Sequence, residues 1–172
     1  VRGGRYGIYT KYMTSGAHVD FYNNIVYDCT YDGITFDNSL ATVSANAYNN
    51  TVVNSGRYGI QVGYDYGAIY AVKNNIVQGS GTADYANIAY IDDGATNISS
   101  DTSAPGTGYD NVIVTFIDEA SDNYHLVLSS PGFDEGTDLS SDGKLAFSTD
   151  IDGGLRPFGD AWDIGADEVG SF

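Results

Sequence analysis

The sequence predicts an all-β protein: a parallel β-helix of about four coils with a C-terminal cap. Three observations carry this expectation. First, the 172 residues hold 3 Glu, 3 Lys and 6 Leu against 13 Val, 13 Ile and 15 Tyr, so strong helix formers are scarce and β-formers abundant. Second, 22 Gly together with many Asn, Asp and Ser supply turns. Third, two markers repeat with one period. Gly-Ile occurs at Gly7-Ile8, Gly33-Ile34 and Gly59-Ile60, in steps of 26 residues. An Asn-Asn doublet occurs at Asn23-Asn24, Asn49-Asn50 and Asn74-Asn75, in steps of 26 and 25. A fainter fourth copy follows at Asn87-Ile88 and Asn97-Ile98.

A unit of this length with three short apolar stretches separated by turn residues is one coil of a β-helix. Coils stack at the ordinary strand spacing of about 4.8 Å, so equivalent residues lie over one another. Ile8, Ile34 and Ile60 are expected as an interior aliphatic stack, and Asn24, Asn50 and Asn75 as an amide ladder that satisfies buried backbone. The same arithmetic stacks Arg5, Tyr31 and Arg57 in a surface column with cation–π contacts. It also sets Lys11 over Asp37 as an exposed ion pair of small value.

The repeat occupies 1–100. A Ser/Gly/Thr-rich stretch with Pro105 marks a junction over 101–110. Charge then changes. Residues 1–83 hold five Asp against five Lys and Arg, whereas 84–172 hold 18 carboxylates against Lys144 and Arg156 alone. The net charge of −16, with 7 cations against 23 acids, argues against a partner held by its phosphates. No apolar run approaches the roughly 20 residues of a spanning helix. Lone Cys29 makes no internal disulfide. A chain starting at Val1 suits a processed protein or a piece of a longer one.

The acidic part, 111–172, contains Asn123-Tyr124-His125-Leu126, Ser130-Pro131-Gly132-Phe133-Asp134, Asp150-Ile151-Asp152-Gly153-Gly154-Leu155-Arg156-Pro157 and Asp163-Ile164-Gly165-Ala166-Asp167-Glu168. These phrases, with the 26-residue repeat, resemble the C-terminal end of secreted bacterial proteins of the pectate-lyase-like superfamily. That resemblance implies a right-handed parallel β-helix with a terminal cap, in a secreted, extracellular or cell-surface setting. A β-helix end exposes core and unpaired backbone, so a cap there is expected on physical grounds too. Arg156 is expected to clamp Asp163 or Glu168, and Trp162 to sit in the cap core.

Function is less defined. A lyase of the superfamily, by resemblance, brings calcium-binding carboxylates and a Lys or Arg base on one face. The candidates are Lys11, Asp37, Arg57, Asp65 and Lys73, and the plainer reading is that they are solvated turn residues. Asp134, Asp138, Asp150 and Asp152 offer oxygen ligands suited to calcium, although their spacing is not an EF-hand. Tyr9, Tyr12, Tyr64, Tyr66 and Tyr70 fall near the loops after the Gly-Ile strands, where rings suit sugar faces. The leading expectation is a structural or binding module that self-associates through its open N-terminal coil into an oligomer or filament. The alternatives are the C-terminal part of a polysaccharide lyase or glycoside hydrolase, and a carbohydrate-binding adhesin.

Overall fold

A computed structural model describes residues 1–37, 42–64 and 67–170. It is a parallel β-solenoid of about four turns. Turn one carries β1 (Tyr6–Lys11), β2 (His18–Tyr22) and β3 (Ile25–Tyr27). Turn two carries β4 (Asp32–Asp37), β5 (Ser44–Tyr48) and β6 (Thr51–Val53). Turn three carries β7 (Tyr58–Gln61), β8 (Ile69–Lys73) and β9 (Ile76–Gln78), and turn four β10 (Ala83–Ala86), β11 (Asp93–Ala95) and β12 (Ile98–Ser99). Each turn gives one strand to each of three parallel sheets, ordered β1-β4-β7-β10, β2-β5-β8-β11 and β3-β6-β9-β12. Later, β13 (Phe116–Asp118) and β14 (Asn123–Leu126) form an antiparallel hairpin. No helix among the described residues is long and apolar enough to cross a membrane.

The register follows the repeat. Ile8 pairs with Ile34 and Ile34 with Ile60, all pointing inward with Val26, Val52 and Val77 from the third sheet. The repeated glycine has a steric cause: a Cβ on Gly33 would lie 2.4 Å from Val52 Cγ1, and Gly7 and Gly59 face Val26 and Val77 in the same way. The solenoid is too narrow there for any side chain. Phe21 stacks on Phe36 at 5.0 Å and fills the wider side.

The two asparagines of each doublet have different tasks. The first takes the left-handed region, with φ of 52° at Asn23, 48° at Asn49 and 53° at Asn74, a conformation Asn tolerates well. The second points inward. Nδ2 of Asn24, Asn50 and Asn75 each donates to Oδ1 of the next coil's asparagine at 2.9 Å, so the ladder runs through Asn50 and Asn75 to Asn97. Each accepting Oδ1 also takes the backbone N–H of the residue below, and each second amide hydrogen reaches a carbonyl such as Phe21 O or Ala47 O. No polar group of the amide is left wanting. Asn49 and Asn97, which begin N-glycosylation sequons, are fully buried.

The stretch 101–110, expected as a junction, lies over the last turn. Asp101 and Ser103 accept the N–H groups of Asp84 and Tyr85, Tyr109 O accepts the Ser99 N–H, and Gly94 packs against Pro105 and Gly106. Residues 111–170 run along the flank of the solenoid. Gln78 binds Val114, and Tyr27 packs at a tilt against Tyr124 back at turn one. Asn74 binds Thr137, and Asn23 binds Thr149, so the segment traverses the turns repeatedly. The reason is the third sheet, which is apolar on both faces. Its outward Val53, Ile76 and Ile98 require the cover that Val114, Phe116, Tyr124, Leu126 and Ile164 supply. At the last turn, 101–110 bonds to the edges of β10 and β12.

Two substitutions test this construction. Asn50→Ala and Asn75→Ala are each expected to cost about 1–3 kcal/mol by orphaning buried partners, and half-buried Asn24→Ala less. Equal melting temperatures for all three would contradict the ladder. Ile34→Asp is expected to abolish folding, since it places a carboxylate in the closed interior; a folded variant, seen by far-UV circular dichroism, would overturn the register.

Candidate functional site

The outward face of the first sheet forms a shallow groove lined by Tyr6, Tyr9, Thr35, Asp37, Arg57, Gln61 and Tyr64, holding about 160 Å³. Strand alternation makes it: Tyr9, Thr35 and Gln61 stand side by side on β1, β4 and β7, each following the inward isoleucine. Tyr6 and Tyr9 stack with centroids 4.5 Å apart and rings 17° from parallel. Tyr9 donates its phenol to Asp37 Oδ2 at 2.5 Å. That bond, with some burial, pushes the phenol pKa up to about 12.

Arg57 is held at the groove's side. Nε and Nη2 bind the two oxygens of fully buried Asp32 at 2.8 and 2.5 Å, and Nη2 also reaches Gln61 Oε1. The bidentate bond holds the guanidinium pKa up. Its carbon lies 3.9 Å from the Tyr31 ring centroid, and Arg5 lies 4.9 Å from it on the other side. Asp32, absent from the expected sites, is the anchor of this column; its signal in the sequence is position, one residue before a Gly-Ile marker.

Among the described residues the proposed catalytic candidates do not converge. Lys11 is the register partner of Asp37, but its ammonium lies 4.7 Å from the Tyr12 ring centroid while Asp37 takes the Tyr9 hydroxyl. Arg57 is committed to Asp32. Lys73 lies on the second sheet, bonded to Asp142 and Asp93 at 2.8 and 2.9 Å. Asp65 and Tyr66 lie outside the described residues, and Tyr70 is buried in the core.

The four calcium candidates are separately employed. Asp150 accepts the N–H groups of Asp152, Gly154 and Glu168. Asp134 accepts that of Ala161, and Asp138 that of Ser140. Only Asp152 joins a cluster of metal-ligating groups among the described residues, with His125 and Asp167. Burial pushes the Asp167 pKa up.

The remaining tail residues form a buried clamp. Arg156 Nη1 binds Glu168 Oε2 at 2.9 Å and the Asp163 carbonyl at 3.1 Å, while Nη2 reaches the Gly165 carbonyl. Asp163 points elsewhere, its carboxylate accepting the N–H groups of Asp134 and Val169. Burial raises its pKa to about 6. Trp162 is 1% exposed, packed against Phe147 with Arg156 5.6 Å from its ring centroid, so it is no surface platform. Comparison with protein-family models, curated proteins and solved structures finds no match for this chain.

Two stability predictions follow from these charges. Arg156→Ala is expected to cost about 3–5 kcal/mol by removing the cation that neutralises buried Glu168; a double change to Arg156→Met with Glu168→Leu is expected to lose less, read by denaturant unfolding. Partial burial opposes ionisation of Asp142, but Lys73 and the N–H groups of Lys144 and Leu145 outweigh it and hold its pKa to about 2. Its folded pKa is depressed, so its stabilisation is present above about pH 4 and fades as pH falls toward 2. Asp163 has the opposite sign: its contribution is greatest below about pH 4 and is lost as pH rises through about 6. The melting difference between wild type and Asp142→Asn is therefore expected at pH 7 and to shrink below pH 4. A difference that persists unchanged to pH 2 would contradict this assignment.

Proposed function

We propose that this chain is a non-catalytic binding module, a right-handed β-helix of the pectate-lyase-like type, that lays an oligosaccharide along the groove of the first sheet in an extracellular or cell-surface setting. The observation that carries it is the stacked Tyr6–Tyr9 pair beside Asp37, Arg57 and Gln61. Aromatic faces suit the apolar faces of sugar rings, and the flanking polar groups suit hydroxyls. The groove is well below the roughly 300–1,000 Å³ of an enclosing ligand pocket, which favours a chain laid on the surface over an engulfed small molecule. Tyr12 and Tyr64, 69% and 58% exposed, extend the aromatic surface.

Among the described residues a catalytic reading lacks a constellation, because Asp32 is closed by Arg57 and Asp37 by Tyr9. The setting rests on the resemblance of the closing Asp163–Glu168 phrase. A panel of neutral and acidic oligosaccharides, titrated by calorimetry, tests the reading. Binding lost in Tyr6→Ala and Tyr9→Ala, with melting preserved, is the expected result. No binding across the panel would sink it, and release of unsaturated or reducing ends would replace it with the lyase or hydrolase reading.

A further inference from the structure

We propose that His125, Asp152 and Asp167 form a site for one divalent transition-metal ion of zinc's kind. Three separate pieces of chain bring them together. β14 places His125, the turn after Asp150 places Asp152, and the segment that docks on Asn49 and Asn74 places Asp167. One ligand atom from each lies within 4.8 Å of the other two.

The hydrogen bonds place a proton on one nitrogen of the imidazole. Asn123 Oδ1 accepts the backbone N–H of His125 at 3.2 Å, which identifies that atom as the amide oxygen. The same oxygen lies 2.7 Å from His125 Nδ1, so Nδ1 carries the proton. Nε2 of a neutral ring is then a bare lone pair, and it faces Asp152 Oδ2 at 2.9 Å. Two acceptors at that distance require a positive centre between or beside them. A ligating histidine whose other nitrogen donates to an oxygen is the arrangement that orients metal-bound imidazoles.

Asp167 adds an independent sign. It is only 7% exposed, and its Oδ2 takes the Leu126 N–H at 2.7 Å. No donor among the described residues reaches Oδ1. The carboxylate lines a cleft of about 470 Å³ with His125, Asp152, Ile117 and Val169, which leaves space for a fourth, exchangeable ligand.

The donor set selects the class of ion. One imidazole nitrogen with two carboxylates suits zinc and its neighbours, whereas calcium takes six to eight oxygens. A tetrahedral ion with arms of about 2.0–2.1 Å has ligand-to-ligand edges of about 3.3 Å, so the His125–Asp152 pair opens by a few tenths of an ångström. The competing occupant is a proton on Nε2, which would make an imidazolium–carboxylate pair.

Calorimetry with Zn²⁺ alone on chelator-treated full chain separates the two. One equivalent is expected to bind and to raise the melting temperature. His125→Ala and Asp167→Asn are expected to abolish that site, and Asn123→Ala to weaken it about 10–100-fold through the lost orienting bond. His18→Ala, at the other imidazole, is expected to leave it intact. Absence of zinc binding, binding undiminished in His125→Ala, or equal stabilisation by Ca²⁺ would overturn the proposal. His125 is half-exposed, and circular dichroism of each variant checks that loss of binding is not loss of fold.

Discussion

The asparagine doublet is the constraint on which this structure depends. A solenoid turn must reverse direction sharply where the second sheet meets the third, and the reversal exposes backbone groups to the interior. Asn24, Asn50, Asn75 and Asn97 satisfy them from within, each amide bonded to the next coil. Asn23, Asn49 and Asn74 make the turn itself in the left-handed region and aim their amides outward. That outward row receives the tail: Asn49 binds the carbonyls of Asp163 and Gly165, and Asn74 binds Thr137 through both amide atoms. One dipeptide therefore joins coil to coil and solenoid to flank.

The tail's acidity has a structural cause. Among the described residues its strands form a single short hairpin, so most of its backbone N–H groups lack strand partners. Carboxylates take their place: Asp150 caps three N–H groups, Asp142 two and Asp163 two. A short side-chain acceptor at a turn is the usual substitute for a missing ladder. The cost is concentrated negative charge, relieved at Arg156, Lys73 and Lys144. Around Asp152 and Asp167, which among the described residues pair with no Lys or Arg, the proposed metal site falls.

Much of the solenoid was legible in the sequence because its period is written twice, in Gly-Ile and in Asn-Asn. Gly33 repeats because Val52 leaves it no room, and Ile34 because its neighbours above and below are isoleucines. The fourth turn was faint for a physical reason: Asn75 and Asn97 are 22 residues apart, and Tyr85 stands where isoleucine stands below. The position of the tail was not legible. Apolar pairs such as Val52-Val53 mark a sheet buried on both faces, yet nothing in the tail's own order says which face it covers. The groove was half legible. The Arg5–Tyr31–Arg57 spacing gave its column, but Asp32 and the Tyr6–Tyr9 stack depend on contacts that no period reveals.

Native-state hydrogen exchange on Asn49→Ala and Asn50→Ala most directly tests the division of labour within the doublet. With Asn49→Ala, exchange is expected to quicken at the amides of Ile164, Gly165 and Ala166, while those of Asn50 and Asn75 stay protected. With Asn50→Ala, protection is expected to fall across the sheets of the solenoid. Indistinguishable exchange patterns in the two variants would contradict the separation of an inner and an outer row.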